Sequence, residues 1–190
     1  MTINIIKSFK NYKVWVAVAI LSGAVFVLGS SVAEAKITVE GSRAFRDEVN
    51  DCLITYKGAP GMLGDVIKEL EKSKNEHKIV NSTAWNNTPN DADAAMGGAG
   101  SGSVTRVDKA ELEVYKSKFP ELANKDYCSA ILHELWHAVD ADRGGWTWTR
   151  EKLDGVNKDE IEATMFQNFV HAIRGVDPRT AYGGTDIAKH

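Results

Sequence analysis

Cysteine and proline are scarce, with two and four respectively in 190 residues, against sixteen glycines. Two cysteines leave a single intramolecular pairing, Cys52 with Cys128, or two buried free thiols. An excess of charge is also missing: 23 basic and 26 acidic side chains give a formal net charge of −3. Such a chain offers no positive field to a phosphate backbone, which argues against nucleic acid as a partner. No repeat with a period of 20–50 residues occurs, and the small-residue stretch 94–103 is the sole approach to low complexity. Solenoids and arrays are thereby excluded. With 43% hydrophobic and 26% charged residues, the composition fits neither a disordered chain, nor collagen, nor a multi-span membrane protein. The length suits one compact domain.

The first 35 residues read as a secretory signal. Lys7, Lys10 and Lys13 precede an apolar run over 14–28, interrupted only by Ser22 and Gly23, and Ala33-Glu34-Ala35 supplies the small-x-small site that signal peptidase cuts. The run is short for a bilayer span; the alternative is an uncleaved N-terminal anchor. No cysteine closely follows the run, so lipidation there is not expected. The expected organisation is a signal peptide over 1–35 and one domain over 36–190. Cleavage removes three lysines and Glu34, leaving an exported chain two charges more acidic, with no membrane association in the mature form. An oxidising compartment permits the Cys52–Cys128 bridge.

Patterning along the mature chain predicts an α+β domain. Residues 37–41 alternate like a strand, and Ser42 can cap a helix carrying Phe45, Val49, Cys52, Leu53 and Tyr56. A second helix is expected over 62–72 after the Gly-Ala-Pro-Gly turn at 58–61, then a strand over 77–83. A long loop is expected over 85–102, then a strand over 103–107 and a short helix over 109–118. Residues 127–142, YCSAILHELWHAVDAD, form one predicted helix stopped by Gly144-Gly145. Cys128, Ile131, Leu132, Leu135 and Val139 share one face; His133 and His137 lie opposite.

His133-Glu134-Leu135-Trp136-His137 is an HExxH pattern. Two imidazoles four residues apart on a helix can share one zinc ion, and Glu134 lies where it can act as general base on a water activated by the metal. Zinc requires a third protein ligand. The metzincin extension is missing, since Asp140 and Arg143 occupy its glycine and histidine positions. The next predicted helix, over 158–174 between Asn157 and Gly175, carries an apolar stripe of Ile161, Met165, Phe169, Ala172 and Ile173. Its polar stripe consists of Glu160, Thr164, Gln167 and His171. Glu160 is the expected third ligand and Glu162 the alternative; Glu160 could instead close a capping box on Asn157.

The chain resembles the NleD-like effector metalloproteases, bacterial HExxH zinc proteases. The likeness runs through ITVEGSRAF (37–45), GAPGMLGDVIKEL (58–70), GAGSGSV (98–104), ILHELWHAVDADRG (131–144) and RGVDPRTAY (174–182). The E-x-x-x-T at Glu160 to Thr164 and the R-x-x-Y at Arg179 to Tyr182 are also similar to clostridial neurotoxin light chains. The resemblance implies a zincin-like metalloprotease fold with a small sheet and an HExxH helix. It implies one Zn2+ per chain on His133, His137 and Glu160, Glu134 as base, and Arg179 and Tyr182 as donors to the oxyanion. Tyr182 could otherwise be a surface aromatic after the Pro178 turn.

The function expected is a secreted or periplasmic zinc metalloendopeptidase acting on an envelope or extracellular protein or peptide. Two other readings stand beside it: an exported zinc-binding or interaction protein on a zincin scaffold, and a metal-dependent amidase of cell-wall peptide. A glutamate in the base position favours an enzyme, because a purely structural metal site has no use for it.

Overall fold

A computed structural model describes residues 37–118, 126–147, 152–153, 155–182 and 185–187. The expected signal peptide lies outside the described residues. Among them, no helix is long and apolar enough to cross a membrane.

The chain enters through β1 (Ile37–Glu40) and turns at Gly41 into α1 (Arg43–Lys57). Ser42 caps that helix, its hydroxyl accepting from the Phe45 amide at 3.2 Å. This satisfies one of the backbone donors a helix start leaves open. The helix buries Phe45, Val49, Cys52, Leu53 and Tyr56, the face expected from spacing. It is followed by α2 (Met62–Lys72), β2 (His77–Asn81), β3 (Asn86–Pro89), α3 (Ala92–Met96), β4 (Ser103–Val107) and α4 (Lys109–Lys118). Next come α5 (Tyr127–Arg143), the hairpin of β5 (Lys152–Leu153) and β6 (Val156–Asn157), α6 (Lys158–Arg174), and the hairpin of β7 (Ala181–Tyr182) and β8 (Thr185–Asp186).

The main sheet has the order β1-β2-β4-β3, with β1, β2 and β4 parallel and β3 antiparallel at the edge. Among the described residues this is a mixed α/β architecture of six helices and a small sheet, in agreement with the α+β expectation. The segment expected to be a plain loop over 85–102 instead contains β3 and α3. Its Asn, Pro and Asp residues read as turn formers. Yet Asn87 turns inward and bonds Ser103 and Thr105 on β4 through its amide, at 3.1 and 2.7 Å, which gives the edge strand a polar anchor in place of an apolar one.

The core lies between the sheet and α1, α2, α5 and α6, around Ile67, Leu70, Ile79, Ile131, Leu135 and Phe166. Within it α5 is buried on nearly every side. Two devices hold it there. At its start, Cys128 is bridged to Cys52 on α1, the single pairing the sequence allows. At its end, the glycine-rich segment folds over the last carbonyls: the Ser101 amide donates to Ala141 O at 2.9 Å and the Gly98 amide to Gly144 O at 3.1 Å. Gly144 closes the helix in the left-handed region, and a side chain there would collide with Gly98. Asp142, near the same end, accepts from Asn75 Nδ2 at 2.7 Å and lies 3.3 Å from His77 Nε2, while Ser103 Oγ lies 3.0 Å from His77 Nδ1. The order Ser-His-Asp looks like a nucleophilic triad, but Ser103 and His77 are sealed from solvent. Burial holds His77 below its ordinary range, and the chain of bonds ties the helix end to the sheet.

The disulfide closes a separation of 76 residues. Cys52→Ala/Cys128→Ala should lose about 4.5 kcal/mol of stability by the chain-entropy relation. Urea unfolding at equilibrium measures this; an unchanged midpoint would show that packing alone fixes α1 against α5.

Helix α6 lies the other way round from its apparent pattern. Glu160, Thr164, Gln167 and His171, the polar stripe, are buried, whereas Met165, Phe169 and Ile173 are 44%, 52% and 58% exposed. Phe169 and Ile173 line a shallow groove of about 440 Å³ together with Pro60, Met62 and Leu63.

Candidate metal centre

Helices α5 and α6 meet through Trp136 and Phe166, whose ring centroids are 4.9 Å apart. Above this contact the two helices bring three buried donors together. One potential ligand atom from each of His133, His137 and Glu160 lies within 4.8 Å of the others. His133 Nε2 is 3.2 Å from Glu160 Oε2, and His137 Nε2 is 3.6 Å from Glu160 Oε1. The helical spacing sets the first pair: the imidazole centroids stand 5.1 Å apart with planes at 79°, and both Nε2 atoms lie toward the Glu160 carboxylate.

The charges favour a cation there. Burial opposes a charged His137, but the Glu160 carboxylate outweighs it and pushes the imidazole up to about 9. Burial alone would raise Glu160, yet His133 and His137 hold it well below the usual carboxylate range. The Glu160 carboxylate supplies the negative charge that a buried metal cation needs, and the two histidines would hold it as neutral imidazoles, releasing their protons on binding. His137 Nδ1 is buried without a hydrogen-bond partner among the described residues, and Nε2 has only Glu160 Oε1, 3.6 Å away. Leaving such a group unpaired is costly, and a metal on Nε2 would satisfy one of the two. These residues fit a metal ion, and the buried group of His133, His137 and Glu160 can bind one.

The alternatives for Glu160 fall away on geometry. Asn157 occupies the cap position of α6 but makes no side-chain capping bond. Glu162 pairs with Lys158 at 3.9 Å on a partly exposed face. Glu134 is buried one residue from His133, and its negative charge acts on both His137 and Tyr182.

Tyr182 and Arg179 come to the same place. The Tyr182 ring stacks on His133 with planes 4° apart and centroids at 6.5 Å, and the Arg179 guanidinium sits 5.1 Å over the Tyr182 ring. Burial, with the charge of Glu160, raises the phenol above its ordinary range, so it stays a hydrogen-bond donor. Tyr182 is thus part of a layered cluster, and Arg179 is buried within it.

Beneath the cluster, sequence reasoning placed Gln167 on the polar stripe but missed Ser129 and the bonds that join the two. Ser129 is one turn before His133 on α5, and Gln167 is two turns after Glu160 on α6, so each shares the face of its ligand. Gln167 Nε2 donates to Ser129 Oγ at 3.2 Å, and Gln167 Oε1 accepts from Arg179 Nη1 at 3.3 Å. Asn168 clamps the Arg179 backbone: its Oδ1 accepts from the Arg179 amide at 2.7 Å and its Nδ2 donates to the Arg179 carbonyl at 2.9 Å. The usable signal was spacing from the ligands. Neither a protein-family model, nor a curated protein, nor a solved structure matches the chain.

Proposed function

We propose that the protein is an exported zinc endopeptidase that hydrolyses peptide bonds of an envelope or extracellular protein, on a zincin-like scaffold. The observation that carries this reading is the convergence of His133, His137 and Glu160 in one buried cluster, with Glu134 beside it. Two imidazoles and one carboxylate are a catalytic zinc donor set that keeps a coordination position open. Calcium and magnesium prefer all-oxygen sites.

When bound, zinc supplies a Lewis acid that polarises the scissile carbonyl and lowers the pKa of water. Glu134 takes the proton from the attacking water and returns it to the departing amine. The Tyr182 hydroxyl, kept protonated by burial, donates to the oxyanion that grows on the carbonyl oxygen, and Arg179 behind it adds positive charge.

Purified protein incubated with a mixed peptide library is expected to cleave internal peptide bonds, to stop on addition of a chelator, and to recover with zinc. Zinc uptake without cleavage of any peptide would point to a binding protein. The export proposal predicts a mature chain beginning at Lys36, and intact mass with residues 1–35 retained would reject it.

A further inference from the structure

Helix α5 carries two of the metal donors, and its C-terminal end is fastened to the sheet by a sealed chain of hydrogen bonds centred on His77. We propose that this chain is an acid-sensitive latch: it closes on the neutral imidazole of His77 and opens when a second proton enters the ring, freeing the glycine-rich segment 98–103 and the last turn of α5.

The hydrogen bonds select the neutral ring. Asp142 Oδ1 accepts from Asn75 Nδ2 at 2.7 Å and from Ser73 Oγ, and a carboxylate only accepts, so His77 Nε2, 3.3 Å away, faces it with its hydrogen. On the other side Asn87 Nδ2 donates to Ser103 Oγ at 3.1 Å, which leaves the Ser103 hydroxyl hydrogen for Nδ1 at 3.0 Å. A second ring proton has to enter at Nδ1. It would point at the Ser103 oxygen beside the Asn87 amide and take away the acceptor of the Ser103 hydroxyl. Ser103 and His77 are 0% and 1% exposed, so solvent offers that hydrogen no substitute. Burial opposes the charged ring more than Asp142 favours it, which holds His77 below its ordinary value.

Among the described residues Asp142 is the one charged group acting on the ring. The neighbouring elements send their other charges elsewhere. Lys78 on β2 pairs with Glu40 on β1 and with Glu76, and Arg106 on β4 bonds Thr88 on β3. Arg143 on α5 pairs with Glu69 on α2, and Asp140 interacts with His137. Lys74 before β2 and Asp91 and Asp93 at the start of α3 are exposed.

The segment held by the latch packs backbone to backbone. A side chain at Gly100 would collide with the Asp142 carbonyl, and one at Gly102 with the Glu76 carbonyl. Without the Ser103–His77–Asp142 bonds, the amides of Ser101 and Gly98 on the carbonyls of Ala141 and Gly144 are what remains to hold 98–103 on the helix end. An opened ring takes its proton at the ordinary value of 6.5, and the closed ring does so only at lower pH. Between the two, the open state binds a proton that the closed state does not. The latch is therefore fully held above the ordinary value and weakens as pH falls, the closed-to-open ratio dropping by up to about tenfold per pH unit.

The full mature chain is compared with His77→Gln, a neutral side chain of similar reach, between about pH 8 and pH 5. Imidazole NMR of wild type should show the Nε2–H tautomer and a titration midpoint below the ordinary histidine value. Exchange protection at the Ser101 and Gly98 amides, corrected for intrinsic rates, should fall by up to about tenfold per pH unit in wild type and stay level in His77→Gln. Titration of the metal cluster is common to both proteins and cancels in their ratio.

A His77 that titrates at or above its ordinary value would overturn the proposal, as would the Nδ1–H tautomer, or protection at Ser101 and Gly98 with the same pH dependence in both proteins. Should His77→Gln fail to fold, the tautomer, the midpoint and the wild-type exchange profile decide alone. Neither readout uses turnover, so the outcome stands apart from the peptidase reading.

Discussion

Glu160→Ala is expected to abolish stoichiometric zinc binding, lowering affinity by at least about 10²-fold, beyond the 10- to 100-fold typical of losing an outer-shell partner. The carboxylate is the one anionic member of the buried cluster and stands between the two imidazoles, 3.2 Å from one and 3.6 Å from the other. Without it, a dication would enter a buried pocket with two neutral donors and no ligand charge to compensate its desolvation. Glu162→Ala provides the contrast. That side chain faces outward against Lys158, so metal content should not change. Metal analysis after dialysis reads both variants, and the reverse ranking would show that α6 presents a different face to α5.

Glu134→Gln should leave zinc in place and remove about 10²–10⁴ of the turnover rate, the usual contribution of a general base. Glutamine keeps the shape of the side chain and a carbonyl oxygen but cannot accept the proton that the attacking water must lose. Glu134 lies outside the three-residue donor cluster, which is why metal content and rate separate in this variant. Tyr182→Phe should differ in kind, costing about 10²–10³ as the loss of one oxyanion donor. Initial rates at matched zinc content check the Glu134 prediction, and wild-type rates in Glu134→Gln would exclude this residue as the base.

The helices were legible in the sequence because their ends are written in local chemistry. Ser42 bonds the Phe45 amide as a cap should, and Gly144 and Gly175 adopt the left-handed conformation that ends α5 and α6. The HExxH spacing likewise fixed the His133 and His137 geometry, since four residues on a helix return to the same face. What local patterning could not show was orientation. In α6 the polar stripe reads as the wet side, yet it is buried because it faces α5, where Glu160 meets the histidines and Gln167 meets Ser129. The apolar Met165, Phe169 and Ile173 are displaced outward as a result. Functional clusters are where hydrophobic periodicity is expected to fail as a guide to burial. The edge strand β3 was hidden for a related reason: its inward residue Asn87 is polar and earns its place through bonds to Ser103 and Thr105.

Stepwise addition of zinc to stripped wild-type protein, with bound metal and peptide hydrolysis read in the same samples, tests the central claim most directly. The account predicts that activity rises in proportion to bound zinc and breaks at one equivalent per chain. Hydrolysis that is independent of zinc content, or a chain filled with zinc that cleaves no peptide, would contradict it.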